Sequence, residues 1–313
     1  MEKSLLIEEI QRLKKEKDAA IMAHYYTDGD IQDLADVVGD SLALAQKARN
    51  LPNKVIVLCG VHFMGETTKI LCPDKTVLVP DLEAGCSLAD SCPADEFTKF
   101  VEAHPGYTVV SYVNTSAAVK AVTDVVVTSS NALKIVKALP ADAKIIFGPD
   151  RNLGNYISSQ TGREMLIWDG ACHVHEQFSL DAILRLKKEH PGAKLLVHPE
   201  CKRALVLLAD VVGSTAALLD YARTSDATEF IVATESGILH KMHELCPDKT
   251  FIPAPPELSE TPGCSCNNCA YMKLNTLAKL RDCLRDLSPE IHVDPEIARK
   301  AVRSIDRMLE MSK

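Results

Sequence analysis

The chain has 313 residues, of which 46% are hydrophobic and 25% charged, a composition that is ordinary for a globular protein. Its formal net charge of −8 argues against nucleic acid as the main partner, and no apolar run approaches the roughly 18 residues that a membrane helix needs. Eleven cysteines without a recognisable export signal predict free thiols or metal ligands in a reducing cytoplasm, not a disulfide scaffold.

A predicted amphipathic helix opens the chain over residues 1–21, where charges occur throughout and the small-residue cleavage site of a signal peptide is missing. Short β-branched runs separated by helical stretches follow it. They predict four strands, at "AIMAHYY", "DVVGDS", "KVIVLCG" and "KTVLVPD".

The same order of four strands recurs twice more along the chain. A fainter copy has strands predicted at "TVVSYVN", "DVVVTSS", "KIIFGPD" and "REMLIWDG", and a third copy at "KLLVHP", "DVVGST", "EFIVATE" and "KTFIPAP". The first and third copies share "ADVVG" (35–39 and 209–213) and "LCPDKT" (71–76 and 245–250) in the same register. The second strand begins Asp-Val-Val in all three copies, at Asp36, Asp124 and Asp210.

Near-continuous apolar strands that alternate with helices predict an α/β fold with parallel sheets covered on both faces. We expect three small units of about 85 residues each, arranged around a pseudo-threefold axis and dependent on mutual packing. The predicted boundaries are 1–102 for the first unit with the N-terminal helix, 103–188 for the second and 189–270 for the third. Residues 271–313 are expected to form helices that pack with the N-terminal helix.

Polar side chains follow the strands at equivalent places in the three units. After the first strands stand His24 with Tyr26, Tyr112 with Asn114, and His198 with Glu200, and after the second strands Ser41, Ser129 and Thr215. Ligands of open parallel sheets bind beyond the carboxyl ends of strands, so these residues are candidates for one binding site. For the three hydroxyl residues, ordinary helix N-capping is an equally good reading.

Cysteines follow the fourth strands, in "DLEAGCSLADSC", "WDGACHVHE" and "PGCSCNNCAYM". One thiol-bearing loop per unit predicts a metal centre, because thiolates are soft ligands that select iron–sulfur clusters or zinc. Three protein ligands would leave one metal position free, whereas four would close the site. The candidates are Cys86, Cys172 and, in the third loop, Cys264, Cys266 and Cys269.

The remaining cysteines and most histidines favour structural interpretations. Cys59 lies in an apolar strand and Cys72 and Cys246 at predicted helix ends, while Cys92, Cys201 and Cys283 show no partner pattern. His62, His173 and His240 are interpreted as structural, whereas His175 is placed closer to the predicted axis.

Several stretches together resemble the quinolinate synthase family: "AHYYTDGDIQDLADVVGDSLALA", "DLEAGCSLADSC", "YVNTSAAVKAVTDVVVTSSNA", "GPDRNLGNY", "HVHEQF", "VHPEC" and "CNNCAYMKLN". The resemblance implies a [4Fe–4S] cluster held by three cysteines at the centre of three domains, here Cys86, Cys172 and Cys269. Cys264 and Cys266 are then spare, and the "CSC" spacing differs from members with two residues between successive cysteines. The implied enzyme condenses iminoaspartate with dihydroxyacetone phosphate to quinolinate for NAD biosynthesis, with loss of phosphate and two waters.

The resemblance also implies roles for the residues at the strand ends. His24, Tyr26, Tyr112, Asn114, His198 and Glu200 would surround the substrate. Among them Glu200 and His198 would transfer protons, and Tyr26 would orient or protonate a carbonyl oxygen, with His24 and Tyr112 also in the catalytic set. Ser41, Ser129 and Thr215 would bind carboxylate and phosphate oxygens at helix N-termini. The implied setting is the cytoplasm, with L-aspartate oxidase as a functional partner.

Three other functions fit parts of the sequence. An aconitase-like dehydratase would use the same open iron but release no phosphate from dihydroxyacetone phosphate. An iron or redox sensor would bind the cluster without turnover, which leaves the Tyr, His and Glu residues unexplained. A zinc-stabilised structural protein would lack the visible absorbance of an iron–sulfur cluster.

Overall fold

A computed structural model describes residues 2–257 and 267–313 of the chain. The N-terminal helix, α1, spans Lys3–Glu16. The first unit contains strands β1 (Ala19–His24), β2 (Val37–Gly39), β3 (Val55–Cys59) and β4 (Thr76–Leu78) and helices α2 (Gly29–Leu34), α3 (Ser41–Ala48), α4 (His62–Leu71), α5 (Ser87–Asp90) and α6 (Ala94–Glu102).

The second unit repeats this order. Its strands are β5 (Thr108–Tyr112), β6 (Val125–Val127), β7 (Ile145–Gly148) and β8 (Met165–Ile167). Its helices are α7 (Ala117–Ala121), α8 (Ala132–Ala138), α9 (Arg151–Thr161), α10 (His173–Glu176) and α11 (Leu180–Glu189).

The third unit has strands β9 (Lys194–Val197), β10 (Val211–Val212), β11 (Glu229–Ala233) and β12 (Thr250–Pro253). Its helices are α12 (Arg203–Leu208), α13 (Thr215–Thr224) and α14 (Ile238–Leu245). A 3-10 turn at Met272–Leu274 leads into α15 (Leu277–Asp286) and α16 (Pro295–Met311).

All twelve strands form where the apolar runs predict them, and each unit contains one parallel four-stranded sheet. In every sheet the strands lie in the same order: second, first, third, fourth. Strands β1, β3 and β7 are buried along their whole length, as expected for parallel sheets with helices on both faces. The α/β class with three similar units is therefore confirmed.

The repeated Asp-Val-Val has a structural role in all three units. The carboxylates of Asp36, Asp124 and Asp210 accept hydrogen bonds from backbone N–H groups of the first strand, at Ile21, Val109 and Leu195, over 2.8, 2.7 and 2.8 Å. Because each bond fixes the start of the second strand against the first, it also fixes where the loop beyond the second strand lies.

The repeated "LCPDKT" ends a helix and turns the chain into the fourth strand. Cys72 and Cys246 follow the last residues of α4 and α14, and both are buried. Lys249 donates from Nζ to the carbonyl oxygens of Ala222 and Ser225. The repeat thus forms the turn that begins the fourth strand, away from the carboxyl ends of the strands.

The two C-terminal helices pack on different surfaces. Helix α15 packs against α1, whereas α16 packs against α7 and β6 of the second unit and against α4. Ser304 on α16 donates its hydroxyl to the carbonyl oxygen of Lys120 on α7, and the buried face of α16 carries Ala301, Ile305 and Met308. The exact boundaries of the three units and of the C-terminal segment stay predictions. Within residues 2–257 and 267–313, no helix has the length and apolarity to span a bilayer.

Candidate active site

One cavity collects the predicted site residues from all three units. The first unit contributes His24, Tyr26, Ser41 and Cys86. The second contributes Tyr112, Asn114, Ser129 and Cys172. The third contributes His198, Glu200, Thr215 and Cys269. The structure therefore brings together every site residue that the family resemblance implies, although their chemical roles stay predictions.

The carboxyl ends of the first strands place three pairs of side chains at the cavity. His24 and Tyr112 are the last residues of β1 and β5, and His198 directly follows β9. The second member of each pair stands two residues further on, where the chain leaves the sheet. The strand-end rule for parallel sheets accounts for this convergence.

Neither Ser41 nor Thr215 caps the helix that it begins, so the N-capping interpretation is wrong for them. The caps are Asp40 and Ser214, whose side chains accept from the N–H groups of Ala43 and Ala217. Ser129 precedes α8, whose N-cap residue is Asn131. All three hydroxyl residues line the cavity.

A buried polar network centres on Glu200, which is 3% exposed. Tyr112 donates its hydroxyl to Glu200 Oε1 over 2.6 Å, and His175 Nδ1 lies 3.2 Å from Oε2. His198 Nδ1 lies 3.6 Å from Oε1, and its Nε2 lies 3.3 Å from Ser129 Oγ. Burial alone would raise the pKa of Glu200, but His175, His198 and the Tyr112 hydroxyl outweigh it and lower the pKa to about 2. The group is therefore a carboxylate that accepts hydrogen bonds.

Tyr26 connects the first unit to the third. Its hydroxyl lies 2.7 Å from Thr215 Oγ1 and 2.8 Å from Thr234 Oγ1, and Thr234 Oγ1 lies 3.0 Å from His175 Nε2. Burial raises the pKa of both Tyr26 and Tyr112 well above the usual range. Both phenols consequently stay protonated and can donate.

Three thiols face the cavity. Among the cysteines that the structure describes, only Cys86, Cys172 and Cys269 are partly exposed, and the others are buried. Burial raises the pKa of Cys86 to about 12, and the nearby Cys269 thiol adds to this shift. The pKa of Cys172 is also raised, by burial first and then by Glu200 and Cys86. Cys86 thus lies close enough to both Cys172 and Cys269 for the thiols to influence each other's pKa.

A short helical segment follows each of these cysteines. Cys86 and Cys172 directly precede α5 and α10, and Cys269 precedes the turn at Met272–Leu274. The backbone N–H groups of Ala89, His175 and Met272 oppose the rise in the pKa of the respective thiols and so favour the thiolate. Because a metal replaces the thiol proton, this arrangement of soft donors around one cavity fits a thiolate-bound metal centre.

Contacts between loops hold the thiols in place. Ser87 Oγ lies 2.6 Å from His173 Nδ1, which joins the first cysteine loop to the second. Glu235 accepts from the N–H groups of Cys269 and Gly237, over 3.1 and 2.7 Å. Burial raises the pKa of Glu235 to about 7, against the opposing effect of Lys273.

Thr234, Glu235 and His175 also belong to the cavity or to its polar network, but they were not among the predicted site residues. Thr234 and Glu235 directly follow β11, so extending the strand-end rule to third strands would have found them. His175 was placed near the axis but given no role. Cys264 and Cys266 lie outside the described residues.

A family model described as "Quinolinate synthetase A protein" matches residues 8–310 of the chain. The chain belongs to the quinolinate synthase family. A relative named "Quinolinate synthase" from Thermosynechococcus vestitus is 54% identical over 307 residues, which cover 98% of this chain and 95% of the relative. Those from Chloroherpeton thalassium and Nostoc punctiforme are 53% and 55% identical, over 98% and 97% of this chain and 95% and 92% of their own lengths. The resemblance inferred from the motifs is confirmed.

The buried histidines of the site predict a loss of stability in acid. Burial lowers the pKa of His24 to about 4 and that of His198 to about 3, from an ordinary value of 6.5. Below pH 6.5 the unfolded chain therefore binds protons that the folded chain excludes. We expect each histidine to lower the free energy of unfolding of the cluster-free chain by about 1 kcal/mol per pH unit as the pH drops from about 6.5 toward 4, whereas Glu235, whose pKa burial raises to about 7, contributes in the opposite direction.

Denaturant titrations between pH 4.5 and 7.5 measure this slope, and His198→Gln should reduce it by the contribution of one proton. His243→Gln, on the exposed side of α14, is the control, because it removes an imidazole outside the cavity. Equal slopes in the wild type and His198→Gln would contradict the assignment.

Gly237 allows the third unit to approach Tyr26. A Cβ at this position would lie 2.7 Å from Tyr26 Cα and 2.8 Å from Glu235 Oε2. We expect Gly237→Ala to lower the free energy of unfolding by about 1–3 kcal/mol, as overpacking does. The control is Gly192→Ala, because a Cβ there meets no described atom within 4 Å. Denaturant unfolding compares the two variants, and an equal effect of both would contradict the steric argument.

Proposed function

We propose that this chain condenses iminoaspartate with dihydroxyacetone phosphate to quinolinate, releasing phosphate and two waters, in the de novo biosynthesis of NAD. The observation that carries the proposal is the single cavity that combines three thiols with buried Tyr, His and Glu side chains from all three units. The chain covers 95% of the length of its relative from Thermosynechococcus vestitus.

We propose a [4Fe–4S] cluster as the cofactor, held by Cys86, Cys172 and Cys269. Three partly exposed thiols around one cavity support this donor set. When bound, such a cluster supplies a Lewis acid at the iron that has no protein ligand.

Binding of anionic substrates by an acidic chain requires a local positive field. Helices α3 and α13 direct their first turns at the cavity, with Ser41 and Thr215 as their first residues. Free N–H groups and the helix dipole at such ends favour carboxylate and phosphate oxygens. The carboxylate of Asp40 does not oppose this effect freely, because Oδ1 accepts from Ala43 N–H and Oδ2 from the Ser130 hydroxyl. Ser41, Ser129, Thr215 and Asn114 are the proposed substrate-binding residues.

Proton transfer is assigned to the network around Glu200. An imine-forming condensation followed by loss of water needs a base that takes protons from carbon or nitrogen and an acid that returns them to departing oxygen. The Glu200 carboxylate, with neutral His198 beside it, can accept a proton and give it back. Tyr26 and Tyr112, both protonated, can donate hydrogen bonds to substrate oxygen atoms, and His24 lies beside Tyr26 with ring centroids 4.4 Å apart.

The proposal includes a cytoplasmic setting, which rests on the many free cysteines, and functional coupling to L-aspartate oxidase as the source of iminoaspartate. The coupling rests on the instability of iminoaspartate in water, which favours consumption close to its formation.

The test is turnover by the chain after anaerobic reconstitution with iron and sulfide. Iminoaspartate is generated in the assay, dihydroxyacetone phosphate is added, and quinolinate and phosphate are both quantified. We expect them in equal amounts, with neither formed when one substrate is omitted. Cluster-loaded protein that releases no phosphate but dehydrates a hydroxyacid would overturn the proposal in favour of an aconitase-like reaction. Loaded protein without any turnover would favour a sensor.

A further inference from the structure

Cys172, His175 and Glu200 form a second potential metal site within the cavity. Each offers one ligand atom, and the three atoms lie within 4.8 Å of one another. His175 and Glu200 are each 3% exposed, so the group is not a solvated surface cluster. The donors are one sulfur, one imidazole nitrogen and one carboxylate oxygen. This set suits a borderline divalent cation such as Zn²⁺.

The buried Nδ1 of His175, which forms no hydrogen bond to a described residue, points to a missing ligand. Nδ1 is buried and has no hydrogen-bond partner in the described part of the chain, although it lies 3.2 Å from Glu200 Oε2. Nε2 lies 3.0 Å from Thr234 Oγ1. With the proton on Nε2, His175 donates to Thr234 and Nδ1 presents its lone pair, which is the usual state of a metal-binding imidazole. Thr234 is therefore the group that would orient His175.

The carboxylate is also prepared for a cation. Glu200 Oε1 accepts from the Tyr112 hydroxyl over 2.6 Å, which leaves Oε2 on the side of His175. One thiolate and one carboxylate would neutralise a divalent cation, so that the buried site carries no net charge. Neutrality matters here because an uncompensated buried charge is costly.

We propose that the cluster-free chain binds one Zn²⁺ ion through Cys172 Sγ, His175 Nδ1 and Glu200 Oε2, and that this ion blocks cluster assembly. Binding replaces the thiol proton of Cys172 with the metal, and the proton passes to solvent. The blocking part rests on the proposed function, in which Cys172 is a cluster ligand, because one thiolate held by zinc is not available to iron. Zinc binding itself rests only on the three side chains.

The experiment titrates anaerobic, chelator-stripped, full-length chain with Zn²⁺ against a chromophoric chelator. A Cys264→Ser/Cys266→Ser background removes two thiols near Cys269 that could bind zinc independently. We expect one tight equivalent, a coordination shell of one sulfur and two or three nitrogen or oxygen atoms by X-ray absorption, and release of one proton. His175→Gln and Glu200→Gln should each weaken binding by tenfold or more. Thr234→Val should weaken it by roughly 10–100-fold, as loss of an orienting partner does.

Three control variants separate this site from a simple thiolate site. Cys86→Ser, Cys269→Ser and His173→Gln should leave zinc affinity unchanged, since these side chains are not ligands in the proposal. If the three cavity thiols hold zinc instead, the two serine variants weaken binding and His175→Gln does not, and the absorption spectrum shows three sulfurs. That result would overturn the site. Circular dichroism identifies any variant that fails to fold, and Glu200→Gln then stands in for His175→Gln.

Reconstitution tests the blocking step. Zinc-loaded chain should take up less iron and sulfide than stripped chain, and His175→Gln should remove the difference. Equal iron uptake with and without zinc would overturn the blocking step. None of these measurements uses quinolinate formation. A chain that binds zinc here but makes no quinolinate would defeat the proposed function alone, and an active chain that binds no zinc here would defeat this inference alone.

Discussion

Cys86→Ala, Cys172→Ala and Cys269→Ala should each leave the reconstituted chain without its iron–sulfur cluster and without quinolinate formation. Each replacement removes one of three thiols that line the cavity from separate loops, and two thiolates do not provide the ligand set that a [4Fe–4S] cluster requires. Iron and sulfide per chain, measured after anaerobic reconstitution together with visible absorbance, report the loss. We expect these values to fall close to background in all three variants.

Cys246→Ala is the matched control. Cys246 is buried at the end of α14, in the repeated turn away from the cavity. The Cys246→Ala chain should therefore retain a full complement of iron. A similar loss in the control would show that cluster retention reports general stability instead of ligation. Full iron in any one of the three cavity variants would remove that cysteine from the ligand set.

The positions of the site residues follow from the sequence to a large extent, because a parallel sheet ties chemistry to strand ends. Once the apolar runs around Met22, Val110 and Leu196 are recognised as strands, the residues just beyond them must lie at one edge of each sheet. The repeat then indicates that the three edges are equivalent. For this reason His24, Tyr112 and His198 could be nominated without coordinates.

Contacts that cross between units could not be obtained this way. Thr234 lies between Tyr26 of the first unit and His175 of the second, and no local pattern encodes that meeting.

Helix propensity does not decide between Asp40 and Ser41 as the cap, since both residue types suit the position. The apolar stripe of α16 shows that one face is buried, but not that the second unit covers it. Such choices depend on packing between distant segments.

Glu200→Gln should keep the cluster and lower kcat by about 100- to 10,000-fold, the range that general acid–base groups contribute. The amide has nearly the same shape and can still accept the hydrogen bond from Tyr112 through its carbonyl oxygen. It cannot take up a proton, however, and it places no negative charge beside His175 and His198. Iron content and quinolinate formation are measured on the same reconstituted sample, so that binding of the cluster and turnover are separated.

The control for this variant is Glu229→Gln, which makes the same chemical change outside the cavity. Glu229 is the first residue of β11, at the end of the strand away from the cavity, and its carboxylate pairs with His190 over 2.7 Å. It should retain both iron and turnover. Near-normal kcat in Glu200→Gln would exclude Glu200 from proton transfer and leave the tyrosine hydroxyls among the remaining acids of the cavity. In that case Tyr26→Phe should lower kcat more than Glu200→Gln does. The Tyr26 hydroxyl hydrogen-bonds to Thr215 and Thr234 but not to Glu200, so it would then carry the proton without help from the carboxylate.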